Sequence, residues 1–233
     1  MMETPEFTIL MPCLNEEKTL GACIKEAQDY IEKAGLAAEV LIADNGSTDA
    51  SVAIAKEAGA SVVSVGEKGY GNALRGGIAA AKGKYIIMGD CDGSYPFSEL
   101  DDFVVKLREN YPLVMGDRFA AEMEPGAMRP SHRYFGVPFL SFVGRIRFHT
   151  EVRDFHCGLR GVEAESARAL NLQCGGMEFA TEMIAKYAKT KCRIAQVPVR
   201  LRRDGRNGRS HLRSMRDGLR HLTYIIFRSN SDK

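Results

Sequence analysis

Met88-Gly89-Asp90-Cys91-Asp92-Gly93-Ser94-Tyr95-Pro96 closes an apolar run that begins at Tyr85. The run suits a buried strand, and the glycine, serine and proline that follow are turn formers. On an extended chain, residues two apart point the same way. Asp90 and Asp92 therefore share one side of a strand end, and Cys91 faces the core. Two carboxylates so placed repel each other unless a cation sits between them and a ligand. A plain turn would use the same residues, and Asp-x-Asp alone does not separate the two readings. The flanking chain bears on the choice.

Upstream, three strand-helix units precede this stretch. The first has a strand over 7–11, halted by Pro12, then Asn15 as a helix cap and an amphipathic helix over about 17–34, closed by Gly35. The second has a strand over 40–43 ending at Asp44, a turn over 45–49 and a helix over 51–58. The third has a strand over 61–65, a glycine-rich turn over 66–71 and a helix to about 81. A strand over 84–89 follows. This alternation specifies an α/β fold, a mostly parallel sheet with helices on both faces. Ligands of such sheets bind at the carboxyl ends of the strands. The polar punctuation falls there: Asn15-Glu16, Asp44 to Asp49, and Asp90 to Ser94. Carboxylates and helix N-termini in one crevice suit a phosphate-bearing ligand held with a divalent cation.

Downstream, a helix is expected over 97–110 with Ser94 or Ser98 as cap, then a strand over 113–116, a loop over 121–130 and an apolar, helical stretch over 134–148. Helices over 164–170 and 177–189 and an edge strand over 194–199, marked by Pro198, complete the fold. From Arg193 onward there are ten Arg and one Lys against three Asp, although the net charge of the 233 residues is only +2. An anionic partner is expected on that side: phosphate, membrane surface or nucleic acid. Arg209, Arg213, Arg216 and Arg220 recur at helical spacing beside Leu212, Leu219, Leu222, Ile225 and Ile226. This fits either a solvated basic face or a helix lying on anionic lipid.

The composition, 45% hydrophobic and 27% charged, is that of a globular chain. The six cysteines form no C-x-x-C pair and read as reduced thiols of a cytosolic protein. The acidic N-terminus has no long apolar run, so neither a signal peptide nor a membrane span is expected. No Gly-x-Gly-x-x-Gly follows the first strand, which argues against a dinucleotide-dependent dehydrogenase. Glu178 and Glu182, one helical turn apart, read as a solvated face, and His156 as a satisfied, partly buried histidine.

Taken together, Pro12-Cys13-Leu14-Asn15-Glu16-Glu17, Asp44-Asn45-Gly46-Ser47-Thr48-Asp49, Gly69-Tyr70-Gly71-Asn72-Ala73 and the stretch from Gly83 to Asp92 resemble the family 2 glycosyltransferases in order and spacing. Gly116-Asp117-Arg118-Phe119 and Asp154-Phe155-His156-Cys157-Gly158-Leu159-Arg160 are similar to the polyprenyl-phosphate branch of that family, typified by dolichyl-phosphate mannosyltransferase. The resemblance implies a GT-A fold, expected over 1–205, and the spacing of 206–233 leaves a basic amphipathic C-terminal helix, open to a solvated or a membrane-associated role. The resemblance also implies inverting transfer from a nucleotide-diphospho-sugar, UDP- or GDP-linked, to a polyprenyl phosphate, with Mg2+ or Mn2+. The setting would be the cytoplasmic, anionic face of a membrane, with no nucleic acid partner. Pro12, Asn15, Glu16, Asp44, Lys68 and Asp90 would hold the nucleotide-sugar, Asp44 reading the base. Asp92, with Asp90, would hold the metal. Arg118, Arg133, Ser210 and His211 would hold the acceptor phosphate. Leu14, Asn45, Ser94 and His211 depart from the frequent Tyr, Asp, Gln and Lys, so neither mannose nor GDP follows from the match.

A phosphate acceptor also fits the chemistry. A sugar hydroxyl must lose a proton to attack, whereas a phosphate monoester, with its second pKa of about 6, is already largely dianionic at neutral pH. Such an acceptor needs arginines to place it and no protein base. A soluble acceptor, and a regulatory module that only binds the nucleotide-sugar, are the alternatives.

Overall fold

In a computed structural model, which describes residues 4–206 and 214–227, the chain forms one seven-stranded sheet between two layers of helices. The first half runs β1 (Phe7–Cys13), α1 (Leu20–Ala34), β2 (Ala38–Asp44), α2 (Ser51–Glu57), β3 (Ser61–Ser64), α3 (Tyr70–Ala80) and β4 (Tyr85–Met88). The second half runs α4 (Asp101–Arg108), β5 (Leu113–Asp117), a π-helical turn at His132–Gly136 leading into α5 (Val137–Phe148), β6 (Arg160–Glu163), α6 (Ala164–Ala169), α7 (Phe179–Lys189), β7 (Ile194–Pro198) and α8 (Ser214–Ile226). The sheet order is β3-β2-β1-β4-β6-β5-β7. All neighbours are parallel except β6, which is antiparallel to both β4 and β5.

The alternation of side chains along the inner strands builds both layers at once. Phe7, Ile9 and Met11 of β1, Val40 and Ile42 of β2, and Tyr85 and Ile87 of β4 face one core, with Leu20, Ile24, Phe103 and Leu107 of α1 and α4. Leu10, Leu41, Ala43, Ile86 and Met88 face the other core, with Leu74, Ile78, Met183, Ile184 and Tyr224 of α3, α7 and α8. Strands covered on both faces read as continuous apolar runs. Each large side chain so buried contributes roughly 1.5–3 kcal/mol.

Several element boundaries differ from the sequence expectation. β1 continues through Pro12: its ladder with β4 ends at Leu10–Met88, whereas that with β2 runs on to Cys13–Asp44. Proline there breaks no rung on the β4 side. α1 begins three residues later than expected because Asn15 adopts a left-handed φ of 58° and does not cap it. Gly35 ends α1 in the left-handed conformation, as expected. α4 begins at Asp101, not near 97, since Phe97 and Leu100 are spent in the core and Ser98 bonds Glu26 instead of capping.

β6 has no counterpart in the expectation. Arg160-Gly161-Val162-Glu163 carries one large apolar residue, and its glycine is there for space. A Cβ at Gly161 would stand 2.9 Å from Leu107 Cδ1. The edge position read from Pro198 holds for β7.

Candidate active site

Four strand ends converge on one cleft of about 450 Å3, and each brings polar residues with it. β1 delivers Pro12, Cys13 and Glu16; the turns after β2 and β3 deliver Asn45, Lys68 and Tyr70; β4 delivers Asp90, Cys91 and Asp92. Cys91 is buried and donates to the Pro12 carbonyl (3.2 Å), which turns the two flanking aspartates the other way.

The walls are held by side chain to backbone bonds. Asp44 accepts from the amides of Gly46 and Ser47, each at 3.0 Å, so it closes the turn after β2 and does not cap α2. Asn15 accepts from the Thr48 amide (2.8 Å), and its own amide donates to Ser47 Oγ (3.0 Å). Asn45 ties two turns together: its Nδ2 donates to the carbonyls of Val65 and Glu67, and its Oδ1 accepts from the Gly69 amide (2.7 Å). Lys68 Nζ spans the same gap, donating to the carbonyls of Asn45 (2.7 Å) and Gly46 (3.1 Å). These bonds fix a ring of loops around the cleft before any ligand arrives.

The carboxylates are closely coupled to one arginine. Asp92 Oδ1 accepts from the Ser94 amide (2.9 Å), and Asp92 Oδ2 accepts from Arg206 Nη2 (2.8 Å). Arg206 Nη1 also donates to Glu16 Oε1 (3.0 Å), and Nε to Asp204. Burial pushes the Glu16 carboxyl up to about 7, with Arg206 pulling down and Asp92 pushing up. Burial and the Asp92 charge push Asp90 up to about 6, against the Tyr70 hydroxyl that donates to it and the nearby Arg206 and Arg160. Arg206 is held more firmly protonated despite its burial, by Asp204, Asp92 and Glu16. The carboxylates thus already gather around one positive charge, as hard oxygen donors to a divalent cation would. Among the described residues no three His, Cys, Asp or Glu side chains form a metal-binding group. A cation here fits only with oxygens from a ligand completing its shell, the usual arrangement for magnesium beside phosphates.

Further along the sheet, Arg118 meets Asp154 with Nε and Nη2 at 2.6 and 2.9 Å from its two oxygens. Asp154 is fully buried. Asp154 also accepts from the His156 amide (3.1 Å), and the next residues fold back toward Asp90: the Gly158 amide donates to the Tyr95 hydroxyl (2.8 Å). Arg160 fixes this loop by donating to the carbonyls of Cys157, Phe155 and Ala180. Arg133 lies in the π-helical turn, with its guanidinium over Tyr134. Arg118 is close enough to lower the His132 pKa, after burial and Arg129. Ser210 and His211, with Arg209, Leu212 and Arg213, lie outside the described residues.

Three sequence readings are corrected. Glu178 and Glu182 are buried, not solvated: Glu182 accepts from the amides of Gln173 and Cys174 (both 2.7 Å), and Glu178 pairs with Arg220 at 2.7 Å. His156 is not satisfied among the described residues: both of its ring nitrogens are buried with no hydrogen-bond partner there, and its ring stands edge-on to His221 at 4.4 Å. Arg216 and Arg220 are not simply a solvated basic face. α8 folds back so that Arg216, Asp217 and Arg220 line the cleft, while Tyr224 and Ile225 enter the core. Sequence spacing put these arginines on one helical face but could not say what that face meets.

The fold and the sequence have counterparts in known proteins. The family model described as glycosyl transferase family 2 matches residues 8–170. The low-salt glycan biosynthesis hexosyltransferase Agl6 of Haloferax volcanii is 34% identical over 223 residues, 95% of this chain and 53% of Agl6. The chain therefore spans about half the length of that relative. The glycosyltransferase AglJ of the same organism is 34% identical over 225 residues, 93% of this chain and 70% of AglJ. The dolichyl-phosphate beta-glucosyltransferase of Drosophila melanogaster is 28% identical over 219 residues, 84% of this chain and 66% of that enzyme. Among solved structures, glucosyl-3-phosphoglycerate synthase from Mycobacterium tuberculosis, in complex with Mn2+, UDP and glucosyl-3-phosphoglycerate, is similar with a TM-score of 0.71 at 20% identity. The match covers 95% of this chain and 80% of that one, and it shows the shared GT-A fold.

Proposed function

The chain belongs to glycosyl transferase family 2, and we propose that it transfers a sugar from a nucleotide-diphospho-sugar to a polyprenyl phosphate, with inversion, at an anionic membrane surface on the cytoplasmic side. One observation carries the choice of acceptor. Arg133 stands at the start of an apolar helix whose outer face is uncovered, and Arg118, at the end of β5, is close enough to act on the neighbouring His132. Tyr134, Phe135, Phe139, Phe142 and Ile146 are each 53–75% exposed, and residues 132–148 include three arginines and no acid. Such a face, aromatic and basic, suits the headgroup boundary of a bilayer. An acceptor with a charged head and a lipid tail would meet both features together. α8 packs against α5 and adds Leu219 and Phe227 to the exposed apolar surface. In this reading 1–205 is the transferase domain, and 206–233 both completes the cleft, through Arg206, Arg216 and Arg220, and turns Leu219 and Phe227 to the membrane. No helix among the described residues is long and apolar enough to cross a membrane.

The residues divide the work as follows. Pro12, Asn15, Glu16, Asp44 and Lys68 shape the nucleotide side of the cleft, and Asp90 orients the ribose or a bound water. Asp92, with Asp90, would hold Mg2+ or Mn2+, which supplies charge to the departing diphosphate. Arg118 and Arg133 place the acceptor phosphate, whose dianion attacks without a protein base. Ser210 and His211 belong to the same acceptor set. The similarity to a dolichyl-phosphate beta-glucosyltransferase supports this acceptor class.

The test is incubation with labelled UDP- and GDP-sugars and a short polyprenyl phosphate, with and without Mn2+. The expected result is a labelled, organic-extractable product that requires Mn2+ or Mg2+ and is lost in Asp92→Ala while the thermal midpoint is retained. Labelled product only with a soluble phosphomonoester, or binding without any product, overturns the proposal.

A further inference from the structure

We propose that Arg206 makes divalent-cation binding conditional on the nucleoside diphosphate: its guanidinium holds the carboxylates of Asp92 and Glu16 until a diphosphate takes it over. The inference rests on the donor-site reading above and assigns a positioning role to a residue outside the family-matched segment.

The geometry is specific. Both oxygens of Asp92 are engaged: Oδ1 accepts from the Ser94 amide and Oδ2, the one turned to a charged group, accepts from Arg206 at 2.8 Å. The same guanidinium reaches Glu16 at 3.0 Å, so one cation bridges two walls of the cleft. A divalent ion at Asp92 would stand beside this guanidinium on the same carboxylate, and the repulsion of the two positive charges sets them in competition. The arginine is also kept in place from outside. Its backbone amide and Nε both donate to Asp204, at 2.8 and 2.9 Å. The loop that carries it is laced along the Asp92 turn, through Gly205 amide to Asp92 carbonyl (2.8 Å) and Arg202 amide to Ser94 carbonyl (2.9 Å). The backbone of Arg206 therefore stays beside the cleft when its side chain turns.

A diphosphate changes the balance in two ways. Its oxygens accept a guanidinium in the two-point manner that arginine favours, which frees Asp92. They also supply the cation ligands that the described side chains lack, since no group of three is present there. Both effects act in the same direction, and by linkage the cation must tighten the nucleotide by the same factor that the nucleotide tightens the cation.

Mn2+ binding to the full chain, followed by the electron paramagnetic resonance of free Mn2+ with and without UDP or GDP, tests this directly. Wild type is expected to bind Mn2+ alone weakly and at least about tenfold more tightly with the preferred nucleotide. Arg206→Met is expected to bind Mn2+ alone about tenfold more tightly than wild type and to gain less than about threefold from the nucleotide. Asp204→Asn, which loosens the tether and leaves Arg206 intact, is expected to shift Mn2+ affinity in the same direction by a smaller factor. It carries the test if Arg206→Met does not fold. Unchanged Mn2+ affinity in the folded variants, with nucleotide-dependent binding intact in wild type, overturns the role of Arg206 and leaves the donor site standing. Failure of wild type to bind Mn2+ even with both nucleotides overturns the metal reading and this inference together.

Discussion

Arg118 and Asp154 form a two-point ion pair, Nε and Nη2 on the two carboxylate oxygens at 2.6 and 2.9 Å, with the aspartate fully buried. The pair engages two of the five guanidinium N–H groups and fixes the plane of the remainder. Asp154 raises the Arg118 pKa against the opposing effect of burial, so the charge is permanent. If this plane receives the acceptor phosphate, Arg118→Lys keeps the charge but loses the fork. Steady-state kinetics should then show acceptor KM rising about tenfold or more, about 1.4 kcal/mol, with donor KM unchanged. Equal changes in both constants would place Arg118 outside the acceptor site. Asp154→Ala leaves a buried guanidinium unpaired and should destabilise the fold by about 3–5 kcal/mol, read from the urea midpoint.

Much of the fold was legible because its signals are local. Continuous apolar runs and the glycine closing α1 depend on short segments, and the first four strands, with the edge position of β7, are found where the sequence puts them. The gathering of Glu16, Asp90 and Asp92 was legible too, since strand ends of a parallel sheet must share one edge. What escaped depends on long-range partners. β6 is a strand only because β4 and β5 flank it. Glu182 reads as a surface residue until the amides of Gln173 and Cys174 are brought to it. Arg206 meets Glu16 from 190 positions away, and no pattern in either segment announces the other.

The uncovered aromatic face of α5 gives a prediction about location. Phe139 and Phe142 are each more than half exposed, so replacing them with aspartate should leave the thermal midpoint within a few degrees of wild type. The same change puts two charges where the bilayer is proposed to lie. In flotation with vesicles containing anionic lipid, Phe139→Asp/Phe142→Asp should lose at least about tenfold in bound fraction, because each buried aromatic contributes on the order of 1 kcal/mol or more. Unchanged flotation would remove α5 from the membrane face.

The buried histidine pair should make the fold sensitive to acid. Burial holds His221 down at about 4, with Glu178 acting the other way and Arg160 and Arg220 reinforcing it; His156 is lowered too. An unfolded histidine binds its proton near pH 6.5, so the unfolded chain gains protons first as pH falls. The stability that His221 contributes is therefore fully present above about pH 6.5 and is lost progressively down to about pH 4, up to about 3 kcal/mol. Glu16 and Asp90, whose folded values are raised, work in the opposite sense over part of that range. The difference between wild type and His221→Gln isolates the histidine. Urea midpoints from pH 7 to pH 4 should fall less steeply in the variant, and parallel curves would refute the assignment.

Gly158 brings the Asp154-to-Arg160 loop against the aspartate motif. A Cβ there would stand 2.5 Å from Asp90 Oδ2 and 3.0 Å from Tyr95 Cε2, closer than packed atoms approach. The backbone at Gly158 has no positive φ, so alanine meets a steric obstacle and no conformational one. The aspartate must give way, and it is held by the Tyr70 hydroxyl. Gly158→Ala is expected to lower kcat by at least about tenfold through displacement of Asp90, with a stability loss of about 1–3 kcal/mol from overpacking. Asp90→Ala empties the space the new methyl needs. In the double variant the added methyl should therefore destabilise by less than it does alone, a coupling of about 1 kcal/mol or more in the thermodynamic cycle. Additive losses would mean that the loop and Asp90 do not press on one another, and that the glycine serves the loop alone.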